Sequence, residues 1–338
     1  MHLNANVTIA GTTTTNALLK AEFPSLNFLI LPSYTVRYSK RANLFAFKML
    51  SRLPSILHAI RQEHRLLRGY IDQYKFHIVL SDNRYGLYSP HTFNILITHQ
   101  ISLKVPVFSS LVNRQVRSMI EKFHECWVPD EPEVGMSGEL SQHDNIVIPV
   151  SYMGLLSRFS TISQITHIKP NYSIVAIISG PEPQRTLLEQ ILIAQLQHHP
   201  KPSLLIRGIP DDTNIRALNS NLHIVDHLDT SHMFSVIKNS SVVISRTGYT
   251  TLMDLYVLGK KAILIPTPGQ SEQEYLGQYL KEKKLFHVVS QQEFDLKKDL
   301  PQCLLASNNN KQNYQNLLLP HLLNHIVSSS PHESNNIR

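Results

Sequence analysis

The chain has 338 residues, 42% hydrophobic and 17% charged, with a formal net charge of +7. That length holds two domains that each bury a core, and the composition excludes a disordered chain and a coiled coil. No apolar run approaches the ~18 residues of a membrane-spanning helix. The start lacks the basic flank and apolar centre of a secretory signal, and Cys126 and Cys303 stand alone, without metal-site or disulfide spacing. The expected compartment is the cytoplasm.

In chain order, strand patterns at 7–10 and 27–31 flank a helical pattern at 14–23. A doubly wound nucleotide- or sugar-binding domain ordinarily opens strand, glycine-rich loop, helix. This chain opens on what reads as a second strand, so its first half is expected to lack the first βα unit.

A helical pattern follows over 44–74. Residues 37–68 carry eight basic side chains (Arg37, Lys40, Arg41, Lys48, Arg52, Arg61, Arg65, Arg68) against one acid, Glu63, an excess equal to that of the whole chain. Two readings stay open: a core-facing helix with a solvated cationic side, or an amphipathic surface for an anionic membrane. No nucleic-acid module or basic motif interleaved with aromatics is present, so nucleic acid is not an expected partner.

Strand patterns at 77–81, 94–98 and 125–128 and a helix at 109–123 complete the first half. Asp82 and His99 directly follow two of these strands and are the general-base candidates facing a cleft. Arg84 is a candidate anion holder. The competing structural reading has Asp82 capping a turn and His99 buried.

The stretch 154–172 is polar and proline-bearing, without clear periodicity, and marks a hinge. The second half places strands at 173–178, 203–207, 223–225, 241–245, 262–265 and 287–289, with helices at 184–198, 231–239, 250–258 and 272–283. A further helix is expected at 311–326. Strands separated by helices imply parallel sheets with covered faces, hence an α/β fold of two doubly wound domains. The expected divisions are an acceptor-side domain at 1–156, a linker at 157–172, a donor domain at 173–327 and a disordered tail at 328–338.

Three successive βα turns in the second half carry the chemistry. Ser179-Gly180-Pro-Glu-Pro follows the first strand and points free amides at one spot, as a phosphate requires. Ser245-Arg246-Thr247-Gly248-Tyr249-Thr250 is the second, with Asp254 one helical turn on, placed for a ribose; the alternative is a helix capped by Thr247 or Thr250. The third presents Gln270, Glu272, Gln273 and Glu274, groups that read sugar hydroxyls, while Ser271 with Glu274 also fits a capping box. Ligands of open α/β sheets bind at this carboxyl edge, so the three turns together point to a nucleotide-sugar site. No zinc-type histidine spacing and no Asp-x-Asp pair for a divalent metal stands out.

The segment SRTGYTTLMDLYVLGKKAILIPTPGQSEQEYLGQYL, residues 245–280, resembles the C-terminal domain of MurG-like glycosyltransferases, which transfer N-acetylglucosamine from UDP-N-acetylglucosamine. IISGPEPQR, SDNRYGLYS, ITHQ and CWVPD are similar to a MurG-related branch. The resemblance implies the GT-B fold, two Rossmann-like domains with the donor held by the second. It implies that Ser179, Gly180, Gly248, Tyr249, Thr250 and Arg158 face the donor diphosphate. It further implies that Leu228 lies by the uracil through its backbone, Asp254 by the ribose and Gln273 by the sugar. The family's N-terminal glycine-rich loop and its histidine have no counterpart here.

The expected reaction is an inverting hexosyl transfer with a UDP-sugar as donor, no metal and no further cofactor. The acceptor is a glycan or a lipid-linked glycan, the latter served at the inner membrane face by residues 37–68. The alternatives are a non-catalytic sugar-nucleotide-binding partner subunit and a UDP-sugar 2-epimerase.

Overall fold

A computed structural model of the chain describes residues 5–33, 45–104, 109–132, 135–160, 162, 171–209, 212–306 and 314–328, the side chains of 45–57 and 327–328 excepted. The first half runs β1 (Thr8–Gly11), α1 (Thr13–Glu22), β2 (Asn27–Ile30), α2 (Phe45–Tyr74), β3 (Ile78–Asp82), β4 (Phe93–Ile97), α3 (Ser109–Ile120), β5 (Glu125–Val128), a 3-10 turn at Gly138–Ser141 and β6 (Val150–Tyr152). The second continues β7 (Ile174–Ile177), α4 (Gln184–Leu196), β8 (Ser203–Ile206), β9 (Arg216–Ala217), β10 (Leu222–Val225), α5 (Thr230–Asn239), β11 (Val242–Ser245) and α6 (Tyr249–Val257). It closes with β12 (Ala262–Leu264), α7 (Ser271–Glu282), β13 (His287–Val288), α8 (Leu296–Leu305) and α9 (Leu318–Ser328).

The second-half sheet has seven strands in the order β13-β12-β11-β7-β8-β10-β9, parallel except for the antiparallel β9. Its central strands are uninterrupted apolar runs, Val242-Val-Ile and Ile174-Val-Ala-Ile, because helices cover both faces. Alternate residues divide between two cores. Val175 and Val243 pack with α5, α6 and α7, whereas Ile174, Ala176, Val242 and Ile244 pack with α4 and α8. The strand order reverses at β7, so β7 and β11 flank the topological switch point where doubly wound sheets bind ligands.

The first half holds two parallel sheets, β1-β2 and β3-β4-β5-β6, with no pairing between them among the described residues. The described chain does open on a strand, loop and helix, with Thr12 capping α1 through its side chain. Among the described residues its two strands pair only with each other. They are tied to the larger sheet through α2: Leu31 packs with Leu67, Ile71 and Val79, and Tyr70 Oη donates to Ile30 O at 2.9 Å.

Four features depart from the sequence reading. Strands β6 and β9, of three and two residues, are too short to carry a period. Helix α8 holds Pro301 in its interior, which reads as a breaker; the Asp295 cap and the burial of Leu296 and Cys303 outweigh the lost amide. The stretch that reads as a hinge is packed where it is described, with Leu155 and Phe159 buried in the second-half core. Helix α9 starts at Leu318 and crosses back to the first half, where Leu319, Leu322, Leu323 and Ile326 cover Ile95 and Trp127. The tail at 329–338 and basic residues Arg37, Lys40 and Arg41 lie outside the described residues. Within α2, Arg61, Arg65 and Arg68 are exposed opposite buried Glu63, Leu67 and Ile71, as an amphipathic helix requires.

Candidate functional site

The carboxyl ends of β7 and β11 leave the sheet in register, Ser245 opposite Ile177. The turns Ser179-Gly180 and Thr247-Gly248 therefore leave adjacent strands at the same edge of the sheet. A Cβ built on Gly180 or on Gly248 meets nothing within 4 Å, so both backbones border open space. Gly180 has φ +101°, a conformation glycine adopts freely.

Helix α6 starts at Tyr249 with Gly248 as its cap, and no side chain caps it. Neither threonine does so: Thr247 Oγ1 donates instead to Gln273 O at 2.8 Å, and Thr250 is exposed. First-turn amides with a positive dipole end and no internal acceptor form an anion-binding surface. The start of α4 is less available, because the Glu182 carboxylate already accepts Thr186 N–H at 3.3 Å.

Several expected ligands turn inward. Arg246 is 1% exposed; its guanidinium donates to Gln184 O at 2.8 Å and to Pro266 O at 3.2 Å, and burial lowers its pKa to about 10. It binds the turns together from beneath and does not reach the open side. Asp254 is 2% exposed and accepts Ser157 Oγ at 2.7 Å and Arg158 Nε at 3.1 Å. Burial raises its pKa, and Arg158 opposes the rise. The expected ribose and diphosphate ligands thus hold each other, with Arg158 half exposed and stacked over Phe159.

Gln273 is buried with Oε1 accepting Thr267 N–H at 2.9 Å, which fixes the third turn. The capping box does not form. Gln270 is the cap residue of α7, and Glu274 reaches one residue further back, to Gly269 N–H at 2.8 Å. Leu228 is buried after β10. Below the same edge runs a charge ladder that the sequence reading missed: Glu189 accepts Arg207 Nε at 2.7 Å, and Asp226 accepts Arg207 Nη1 at 2.9 Å.

The first half meets this edge with the ends of β3, β4 and β5. Asp82 is open at its tip, while surrounding protein mass raises its pKa and His99 opposes the rise. The turn after β3 is held by Ser81 Oγ donating to Arg84 O at 2.6 Å, so Asp82 is not its cap. Arg84 is committed to Glu63 at 2.5 Å and to Pro32 O, ruling it out as the anion holder. His99 is half-buried, stacked on the Tyr249 ring at 3.9 Å and 12°, with Nε2 2.8 Å from Glu272 Oε1. A base candidate of the first half and a sugar-reading candidate of the second are therefore in direct contact.

Asp130 sets this interface. Fully buried, it accepts the amides of Glu131, Met136 and Ser137 and the Ser137 hydroxyl. The loop it ties sends Met136 and Leu140 into the second-half core. Tyrosines then bridge the halves: Tyr249 Oη donates to Pro129 O at 3.0 Å, Tyr279 Oη donates to Gly135 O at 2.8 Å, and Tyr275 Oη accepts Glu139 N–H at 2.7 Å. Among the described residues, no cluster of three or more His, Cys, Asp or Glu is placed to hold a metal, and no helix is long and apolar enough to cross a membrane.

Residues 174–318 match the model of the glycosyltransferase family 28 C-terminal domain. An uncharacterized glycosyltransferase of Methanosarcina mazei is 24% identical over 261 residues, covering 70% of this chain and 68% of that protein. Acinetobacter baumannii MurG superposes with a TM-score of 0.52 at 14% identity, over 96% of this chain and 91% of that one. Glycosyltransferase VinC, solved in complex with dTDP, gives 0.58 at 10% identity, over 96% and 92%. The fold is GT-B, two Rossmann-like domains, and the second half carries a glycosyltransferase domain.

Proposed function

We propose that the chain transfers a hexosyl group, N-acetylglucosamine, from a UDP-sugar to an acceptor hydroxyl with inversion. The observation that carries this reading is the uncapped start of α6 behind Gly248, beside Gly180, at the switch point of a glycosyltransferase domain. The donor diphosphate rests on the amides of Tyr249 and Thr250, with Ser179 and the Thr250 hydroxyl beside it. Arg158 swings from Asp254 to the phosphates, and Asp254 then accepts the ribose hydroxyls. Leu228 offers its backbone to the uracil, and Gln270, Glu272, Gln273 and Glu274 border the sugar.

The acceptor oxygen attacks the anomeric carbon, the bond to the diphosphate oxygen breaks, and its electron pair leaves on UDP. The acceptor proton passes to His99 or Asp82 at the facing edge. Preorganised amides oppose the charge that develops on the diphosphate; one such donor is worth roughly 3–4 kcal/mol in a dry site. No cofactor enters this scheme. In the same reading the exposed Arg61, Arg65 and Arg68 face of α2 rests on an anionic membrane and brings a lipid-linked acceptor to the cleft.

Calorimetric titration with UDP, UDP-N-acetylglucosamine and dTDP, followed by UDP release with and without glycan and lipid-linked acceptors, tests the reading. Saturable UDP binding with acceptor-dependent release is expected. Absence of UDP binding refutes the donor site, and binding without release under any acceptor refutes the transfer.

A further inference from the structure

We propose that Glu272 is a positioning residue for His99. Its carboxylate holds Nε2–H, so that Nδ1 carries the lone pair that takes the acceptor proton. The inference rests on the transferase reading above and moves Glu272 from sugar recognition to the proton-transfer machinery.

His99 ends β4 and Glu272 lies in the first turn of α7, 173 residues away, yet Nε2 and Oε1 stand 2.8 Å apart. A neutral imidazole beside a carboxylate at that distance donates to it, which fixes the tautomer and leaves the second ring nitrogen basic. The ring plane is fixed independently. It lies parallel to Tyr249 at 3.9 Å, and Tyr249 is itself held by α6 at its backbone and by Pro129 O at its hydroxyl. Gln100 Nε2 lies 3.3 Å from the same Nε2; both are donors in this tautomer, so the 2.8 Å carboxylate contact is the hydrogen bond that Nε2–H makes.

The charged and titratable groups facing His99 are Asp82 from β3, Glu272 from α7 and Tyr249 from α6. Both carboxylates and the tyrosine π-face stabilise the imidazolium that forms as the acceptor gives up its proton. Glu272 and Tyr249 belong to the donor half. The groups that orient the imidazole are therefore in place only when the donor half meets the acceptor half. Tyr249 is also the first residue of the uncapped helix, so the ring is stacked against the anion surface where the leaving group would sit.

Imidazole nitrogen NMR on histidine-labelled protein reads the dyad without any turnover, with His99 signals assigned by His99→Asn. Wild-type His99 is expected as the Nε2–H tautomer. In Glu272→Gln the carboxylate that fixes that proton is gone, and the Nδ1–H tautomer is expected to rise to a measurable fraction. An unchanged tautomer ratio in a Glu272→Gln protein of wild-type melting temperature overturns the proposal. If that variant fails to fold, Glu272→Asp is read in the same way, with a partial change of tautomer ratio expected and no change overturning it.

The kinetic arm separates kcat from donor KM in UDP release. Glu272→Gln is expected to lower kcat by about tenfold or more with donor KM held, since a misoriented base loses part of its proton-transfer contribution. A risen donor KM with unchanged kcat assigns Glu272 to the sugar and overturns the proposal. Wild-type protein that shows the tautomer but no turnover counts against the transfer reading and leaves the dyad standing.

Discussion

Gly248→Ala separates binding from stability at one atom. The backbone there has φ −74° and ψ 130°, which alanine adopts without strain, and the added Cβ meets nothing within 4 Å. Alanine is a poorer cap than glycine by a few tenths of a kcal/mol or more, while its reduced unfolded-state freedom returns about 0.4–1 kcal/mol. Stability should therefore stay within about 0.5 kcal/mol of wild type, a shift of a degree or two in Tm. The methyl group fills the space over the first amides of α6, where a phosphate oxygen must approach. Losing one hydrogen bond to a charged partner costs about 1.5–3 kcal/mol, or roughly 10- to 150-fold in UDP affinity. Calorimetric titration with UDP and a melting curve on the same sample read both quantities. Gly208→Ala is the contrast: with φ +67° and a Cβ 2.3 Å from Ile178 O, it should lower Tm. Unchanged UDP affinity in Gly248→Ala at wild-type Tm refutes the placement of the diphosphate.

Asp130→Ala strands the buried amides of Met136 and Ser137 and the half-buried amide of Glu131 and releases the loop bearing Met136 and Leu140, so a loss of about 3–5 kcal/mol in urea unfolding is expected, with separate melting of the halves. Arg246→Ala empties a fully buried site and unpairs the carbonyls of Gln184 and Pro266; it should cost about 3–5 kcal/mol while folded protein keeps its UDP affinity within twofold. A large affinity loss in a stable variant would show that the guanidinium reaches the ligand. Lys260 donates to Lys238 O and Ser240 O, and burial lowers its folded pKa to about 8 from an unfolded 10.5. The unfolded chain then binds the extra proton between those values, so this group makes stability rise from pH 8 to 10.5. Urea midpoints should show a smaller rise in Lys260→Met than in wild type.

Much of the architecture is local and so legible in the residues. The runs Val242-Val-Ile and Ile174-Val-Ala-Ile mark strands buried on both faces, and the period-3.6 patterns between them mark the helices. Gly180 and Gly248 mark the turns, and their position after strands marks the ligand edge. Asp82 and His99 are legible as polar residues that end strands.

Which way a polar side chain points is not local. Arg246 lies in the same loop as Gly248, yet packing against Gln184 and Pro266 turns it into the core. Asp254 has the spacing of a ribose ligand, yet it meets Ser157 and Arg158, which come from 97 and 96 positions away. His99 and Glu272 read as parts of two separate sites until the halves close around Tyr249 and the Asp130 loop. Periodicity encodes the elements because it depends on neighbours within one or two turns. Partners more than ninety residues apart are chosen by how two finished domains pack, and that decides which charged groups remain for a ligand.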